Sequence, residues 1–324
     1  MTANNGKLAV EAVVDMASAT AYISQPSTCS IRSRVDTFVA LAFSAAAYGA
    51  VLALAALGFL VLYKATGVVN FAHGDLITLS GYVALWFITD LGSAPVVGYL
   101  LAVITMGLIG MGLERVAYAP LRRRPHLIVL IATLAAALVI RAFISLWQGS
   151  APQRLPSPVD GAVVTVLGTP IAAQRILIIV VALVCIAAVI HVFGYSSFGR
   201  QLRALASDRE TAELYGVRTA RISLAAWGLS AALAALAGIL VAPLSSLDLN
   251  FGFTIMLAAF AAAVLGGFGN LWGVLIGASA IGVIQYLIGG YVLHDYASIL
   301  PYVAMLAILG LRPQGLLGRT AARL

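Results

Sequence analysis

The chain has 324 residues, 62% of them hydrophobic and 10% charged, with a mean hydropathy of +1.02 and a net charge of +7. That balance excludes a soluble globular domain and predicts a polytopic membrane protein. The positive charge needs no nucleic acid to explain it, because Lys and Arg gather in segments between apolar runs, as they do in cytoplasmic loops.

Residues 1–36 read as an N-terminal tail. Glu11 and Asp15 interrupt its mild apolar run, so no secretory signal is visible. Apolar runs then follow at 38–63, 69–88, 94–113, 127–147, 171–193, 222–241, 253–268, 271–290 and 296–311. They predict an all-α polytopic integral membrane protein with about 8–9 transmembrane helices. The seventh run is short, so residues 253–290 are expected to form either two spans or a re-entrant turn with one span, and discontinuous or re-entrant segments are expected among the helices. Residues 37–317 form one membrane domain, and 318–324 a C-terminal tail. Cys29 falls in the leader and Cys185 inside a run, so neither a disulfide framework nor a metal site is expected.

Basic residues orient the chain. Arg115, Arg122, Arg123 and Arg124 mark one internal loop, Arg200, Arg203, Arg209, Arg218 and Arg221 a second, and Arg312, Arg319 and Arg323 a third. The opposing loops hold Asp90, Arg154 with Asp160, Asp248, and His294 with Asp295. The C-terminus is therefore expected inside. Nine crossings would put the N-terminus outside, against which Arg32 and Arg34 count.

The second run begins GVVNFAHGDLITLSGYVAL, from Gly67 to Leu85. Asn70, His73 and Asp75 stand at or inside a membrane boundary, where polar groups are costly and signal function. Asn70 is placed to cap a helix starting at Phe71, with free N–H groups aimed at an anionic or carboxylate-bearing solute. Gly67, Gly74 and Gly81, seven apart, share one helical face suited to close approach. The competing account is a packed helix whose polar groups satisfy one another. It is the stronger account for His73 alone and the weaker one for the cluster. Asn250-Phe251-Gly252 echoes Asn70-Phe71-Ala72 at the head of another run, the faint trace of an inverted repeat. Between them Arg141 sits inside a run near its outer third and is expected to snorkel to the interface.

Residues 199–218 form a charged, helix-prone loop rich in Ala, Leu, Arg and Glu. Ser207 with Glu210 reads as a capping box, predicting a helix from Asp208 to Tyr215 that stops at Gly216. A solvated connector and a docking element both fit these residues. Farther on, Gly269, Gly273 and Gly277 make two overlapping small-xxx-small motifs within LGGFGNLWGVLIGA, which predict helix packing. No G-x-x-x-x-G-K-[ST] loop occurs, so the chain is not expected to hydrolyse ATP itself.

Three ordered segments carry a resemblance: Gly67–Gly81, Gly199–Gly216 and Ala261–Gly273, with Arg312–Leu317 at the end. Together they resemble the permease subunits of bacterial branched-chain amino acid ABC importers, and Asn70–Asp75 matches that family's NFAHG[ED] signature. Permeases for urea and short amides share the architecture. The resemblance implies a multi-pass protein of the bacterial inner membrane. Its partners would be a companion permease, two ATP-binding subunits and an extracytoplasmic solute-binding protein, besides membrane lipid. ATP would be used by the partners, with no cofactor or metal bound by this chain.

By the same likeness, Asn70, Phe71, His73, Gly74 and Asp75 shape the translocation path or gate. Gly199, Arg203, Ser207, Asp208, Glu210, Ala212 and Gly216 carry the coupling contact to an ATPase. Gly67, Gly81, Gly266, Gly267, Gly269, Gly273 and Gly277 are expected to serve helix packing. The rival classes are an ion-coupled carrier in which His73 and Asp75 titrate, and a passive channel for small neutral solutes.

Overall fold

The computed structural model describes residues 28–122, 124–292, 294–312 and 314–317. Its architecture follows from the bilayer: with no water to bond, every backbone group in a span must be satisfied within its own helix. The helices are α1 (Thr28–Thr66), α2 (His73–Thr89), α3 (Pro95–Leu113), α4 (His126–Gln148), α5 (Ala173–Tyr195), α6 (Ser197–Ser207), α7 (Arg209–Leu214), α8 (Thr219–Val241), α9 (Phe251–Gly266), α10 (Leu271–Val283) and α11 (Leu300–Leu311). Among the described residues, six helical stretches are long and apolar enough to cross a membrane, and α9 and α11 are shorter apolar helices.

α1 begins at Thr28, so residues 28–36 belong to a helix and not to the tail expected there; residues 1–27 and 318–324 lie outside the described residues. The cause is continuity: nothing between Thr28 and Phe38 breaks a helix that the following apolar run holds in place. α1 is also the centre of the bundle. Every residue from Val51 to Leu57 is at most 4% exposed, and α8, α10, α9 and α5 pack around it. α3 and α4 take the periphery, where Leu108, Leu138 and Val139 are left facing outward, as lipid-facing side chains are.

A small hairpin, β1 (Val163–Val166) and β2 (Thr169–Ala172), precedes α5, so Ile171 lies in a strand and not in the span expected to start there. Leu167 and Gly168 both have positive φ, the two-residue turn whose twist suits paired strands. Thr169 Oγ1 donates to Asp36 Oδ1 at 2.8 Å, which puts the start of α1 on the hairpin face. On the opposite face, Lys64, Arg122, Arg124 and Arg209 line one cavity, and Lys64 lines another with Arg203 and Leu317. The basic loops thus share one side of the molecule, and α1 starts on the other.

Two crossings are broken. After α1 stops at Gly67, residues 67–72 lead back along α1 until His73 lies level with Ala55 and Gly58. α9 is likewise entered through residues 245–250, which dip inward until Leu247 packs under Gly81 and its carbonyl accepts from Tyr82 Oη at 3.2 Å. The short seventh run is therefore one discontinuous crossing. α10 continues through a π turn, Ile284–Ile288, to Tyr291. At the far end, the N–H groups of Leu316 and Leu317 donate to the carbonyls of Leu265 and Gly266 at 2.9 and 3.0 Å, capping the open end of α9.

Three glycines expected in packed helix faces are not there. Gly67 has φ +72° and is the left-handed stop of α1, seven residues short of the face that Gly74 and Gly81 share. Gly267 and Gly269, both at φ +106°, make the turn between α9 and α10, and a Cβ on Gly269 would meet nothing within 4 Å. Gly273 and Gly277 do sit in the contact: a Cβ on Gly273 would overlap the Gly266 carbonyl, and one on Gly277 the Ala262 carbonyl.

Candidate functional site: paired helix starts and a charged loop

The two broken crossings start beside each other. Gly74 faces Gly252, Phe253 and Met256, while Gly252 faces Gly74 and Thr78, so α2 and α9 run antiparallel across their first turns. A Cβ on Gly252 would overlap the Gly74 carbonyl and stand 2.6 Å from the Thr78 nitrogen. Gly252 N donates to Thr78 Oγ1 at 2.9 Å, giving one of the free N–H groups at the start of α9 a side-chain acceptor. The echo between Asn70-Phe71-Ala72 and Asn250-Phe251-Gly252 thus has a structural counterpart: both mark helix starts that meet.

Arg141 joins them. From α4 its Nε donates to Asp75 Oδ1 at 3.0 Å and its Nη1 to Asn250 Oδ1 at 3.4 Å, with the guanidinium carbon 5.9 Å from the Phe253 ring centre. This overturns the expected snorkelling. The Asp75 side chain is only 4% exposed, and a buried carboxylate holds a cation better than a distant headgroup does. The signal was present in the sequence, since an intramembrane Arg and an intramembrane Asp are each other's default partners.

The rest of the motif is enclosed. α2 starts at His73 and not at Phe71, because Asn70 spends its Oδ1 on Ala72 N at 3.0 Å and Phe71 N donates to Thr133 Oγ1 at 3.3 Å, holding both residues in the approach. The first turn of α2 carries Asp75, a carboxylate placed where the positive end of a helix favours negative charge. His73 is fully buried; its Nε2 donates to Ala55 O at 3.1 Å, its Nδ1 lies 3.5 Å from Ser230 Oγ, and Phe59 meets the ring edge-on. Asn70 Nδ2 is buried without a hydrogen-bond partner among the described residues.

The charged loop is two helices joined at an angle. Ser196 caps α6 by accepting from Gly199 N at 3.0 Å, and Gly199 has no room for a side chain because a Cβ would overlap the Phe193 carbonyl. Arg203 donates to that same carbonyl, which ties α6 to the end of α5. The cap of α7 lies one residue beyond the expected Ser207. Ser207 is still in α6, bonding back to Arg203 O, while Asp208 is extended and accepts from Glu210 N and Thr211 N at 3.0 and 3.2 Å. Glu210 is therefore second in its helix and makes no capping box. Hydrogen bonds from the Thr211 side chain and then its backbone hold the Asp208 carboxyl below the usual carboxylate range. α7 stops before Gly216 at φ +82°, as expected, and Ala212 is its one buried residue. Leu214 and Tyr215, each 87% exposed, stand at the tip.

With these features in place, comparison with known proteins gives the family. Residues 41–309 match the family described as branched-chain amino acid transport system / permease component. The chain belongs to that family. The permease is 31% identical over 296 residues to the high-affinity branched-chain amino acid transport system permease protein LivH of Salmonella typhimurium, covering 87% of this chain and 96% of that one. It is 31% identical over 285 residues to BraD of Pseudomonas aeruginosa, covering 84% and 92%. Among solved structures, PsaBC from Streptococcus pneumoniae in complex with Fab is similar at a TM-score of 0.47 and 13% identity, covering 84% of this chain and 91% of that one. The permease is a transport subunit and a multi-pass protein of the inner membrane.

Proposed function

We propose that the permease carries branched-chain or other small apolar amino acids across the membrane as one half of a path that a companion permease completes. Two ATP-binding subunits supply the energy, one of them docking on α6 and α7 of this chain, and a solute-binding protein delivers the amino acid at the hairpin face. The observation that carries this reading is the loop: a capped, one-sidedly buried helix pair on the basic face that ends in exposed Leu214 and Tyr215. A large apolar pair left in water at the tip of a polar loop is what a protein interface needs at its centre.

In this reading Asn70, Phe71, His73, Gly74 and Asp75 work as a unit that fixes where α2 meets α9, and the Arg141 bridge holds that meeting point. The enclosure of His73 by Ala55, Phe59 and Ser230 favours packing over a proton relay. The permease itself hydrolyses no ATP and needs no cofactor.

Two measurements test it together. The tagged permease, extracted gently, is expected to bring down an ATPase and a second permease, and vesicles holding the whole complex are expected to concentrate labelled leucine in preference to urea or acetamide. Concentrative uptake or ATP hydrolysis by the permease shown free of other subunits overturns the reading.

A further inference from the structure

A cavity of about 420 Å³ opens in the hairpin-side half of the permease, a size within the range of small-molecule sites. Its walls come from the first half of α1, the start of α5, the 245–250 approach, the start of α9 and the π turn after α10. Its lining is unusual for this chain because it brings one cation and one carboxylate into the same small space. Arg175, third residue of α5, has no hydrogen bond or ion pair among the described residues. Asp248 accepts from Asn250 N through Oδ1 at 2.7 Å, and its second oxygen has no such bond among the described residues. Gln285 Oε1 is buried without a hydrogen-bond partner among the described residues. Between these polar groups the wall is aliphatic, with Val51, Ile178 and Ile255.

We infer that this cavity is a waiting site for the zwitterion of an aliphatic amino acid, its carboxylate on Arg175, its ammonium on Asp248 and Gln285, and its side chain against the aliphatic wall. Charges left unmatched inside a membrane protein are expensive, and a zwitterion brings both counter-charges while adding no net charge. Urea or an amide would leave both unmatched. The π turn has a purpose here: π turns concentrate at functional sites, and this one presents Gln285 and Tyr286 to the cavity. Asn250 belongs both to the cavity and to the Arg141 bridge, so an occupant lies next to the meeting point of α2 and α9.

The inference rests on the proposal that the solute is an amino acid, and the test separates the two. In vesicles holding the complete importer, leucine uptake is compared for the wild type, Arg175→Gln and Asp248→Asn, with membrane levels and ATPase retention measured alongside. Asn at 248 keeps the oxygen that Asn250 N needs and removes only the charge. Uptake is expected to fall about tenfold or more in each, the scale on which a desolvated charge loses its counterpart. Cysteine protection covers a variant that fails to assemble. Thr254 is exposed to the cavity, and Thr254→Cys in a Cys29→Ser, Cys185→Ser background is labelled from outside with a membrane-impermeant thiol reagent. L-leucine is expected to slow labelling; isopentylamine and 4-methylpentanoate, each lacking one of the two charges, are not. Wild-type uptake of leucine, together with unimpaired uptake by both variants or equal protection by all three probes, overturns the site alone. A wild type that takes up urea and not leucine overturns both readings.

Discussion

The meeting of α2 with α9 and the α6–α7 loop are both built from short helices, yet they are held by opposite means. At the first, glycine is set against backbone: Gly74 against the Phe253 Cα and Gly252 against the Gly74 carbonyl, with the Met256 Cβ and the Thr78 hydroxyl close beside them. Its stability comes from proximity, so added volume is what it cannot accept. α7 is six residues long, far below the length at which a helix is stable alone in water, and it buries one residue. It depends on its ends: Asp208 at the start, Gly216 at the stop, and an Arg209–Glu213 pair at 3.4 Å tied to Thr219. The first region fails when filled and the second when uncapped.

Substitutions can break that contrast at either end. The largest expected effect is from Gly252→Leu, which forces α9 away from α2 at a cost of about 3 kcal/mol or more, the top of the range for overpacking. Gly74→Leu should follow, since its Cβ would stand 3.1 Å from the Phe253 Cα, and His73→Gln should do least of the three. Membrane level and uptake measured together check the order; a silent Gly74→Leu beside an inactive, well-inserted His73→Gln reverses it.

Ala212→Pro comes next. It removes the Ala212 N to Asp208 O bond of 3.1 Å and costs α7 about 3 kcal/mol. The spans should insert normally while the ATPase subunits are lost on pull-down, so transport fails without any change in the α2–α9 contact. Full assembly and transport in this variant would reduce the loop to a connector.

The Arg141 bridge sharpens the comparison because it adds charge to the packed region. Arg141→Gln strands the Asp75 carboxylate and is expected to cost about 2 kcal/mol, less than the 3–5 for a fully enclosed pair because the Arg141 side chain is 33% exposed. Adding Asp75→Asn should restore much of the lost thermal stability, a coupling that a double-mutant cycle reads directly.

The smallest effect concerns pH and the cap. Because hydrogen bonds to Thr211 depress the Asp208 carboxyl, its capping contribution is complete above the ordinary carboxylate value of about 4 and fades as pH falls through the depressed one. Retention of the ATPase should therefore be flat across about pH 6–8. Asp208→Ala should weaken retention at every pH in that window, and Asp208→Asn should weaken it less, because Asn caps nearly as well.

The family and the membrane class were legible in the sequence because they rest on local signals: long apolar runs, clustered arginines and the NFAHGD segment. The seventh run announced its irregularity by its length alone. Much of the candidate site was less legible. Ser207 lost the cap to Asp208 because the two are equally good cap residues and only the path of α6 decides between them. Gly67 and Gly269 were grouped with packing glycines because spacing alone cannot tell a face from a turn.

What sequence by itself determined was the polytopic helical class, the clustering of basic loops and the presence of a capped loop helix, since transfer to lipid and hydrogen bonding at a helix end are decided within a few residues. Which distant groups meet was left to tertiary structure. Arg141 is 66 residues from Asp75 and 109 from Asn250, and only the antiparallel docking of α2 on α9 lets one guanidinium reach both. Arg175 and Asp248 come to one cavity in the same way. A charge in a membrane protein acquires its role from its neighbours, and those neighbours exist only once the helices have packed.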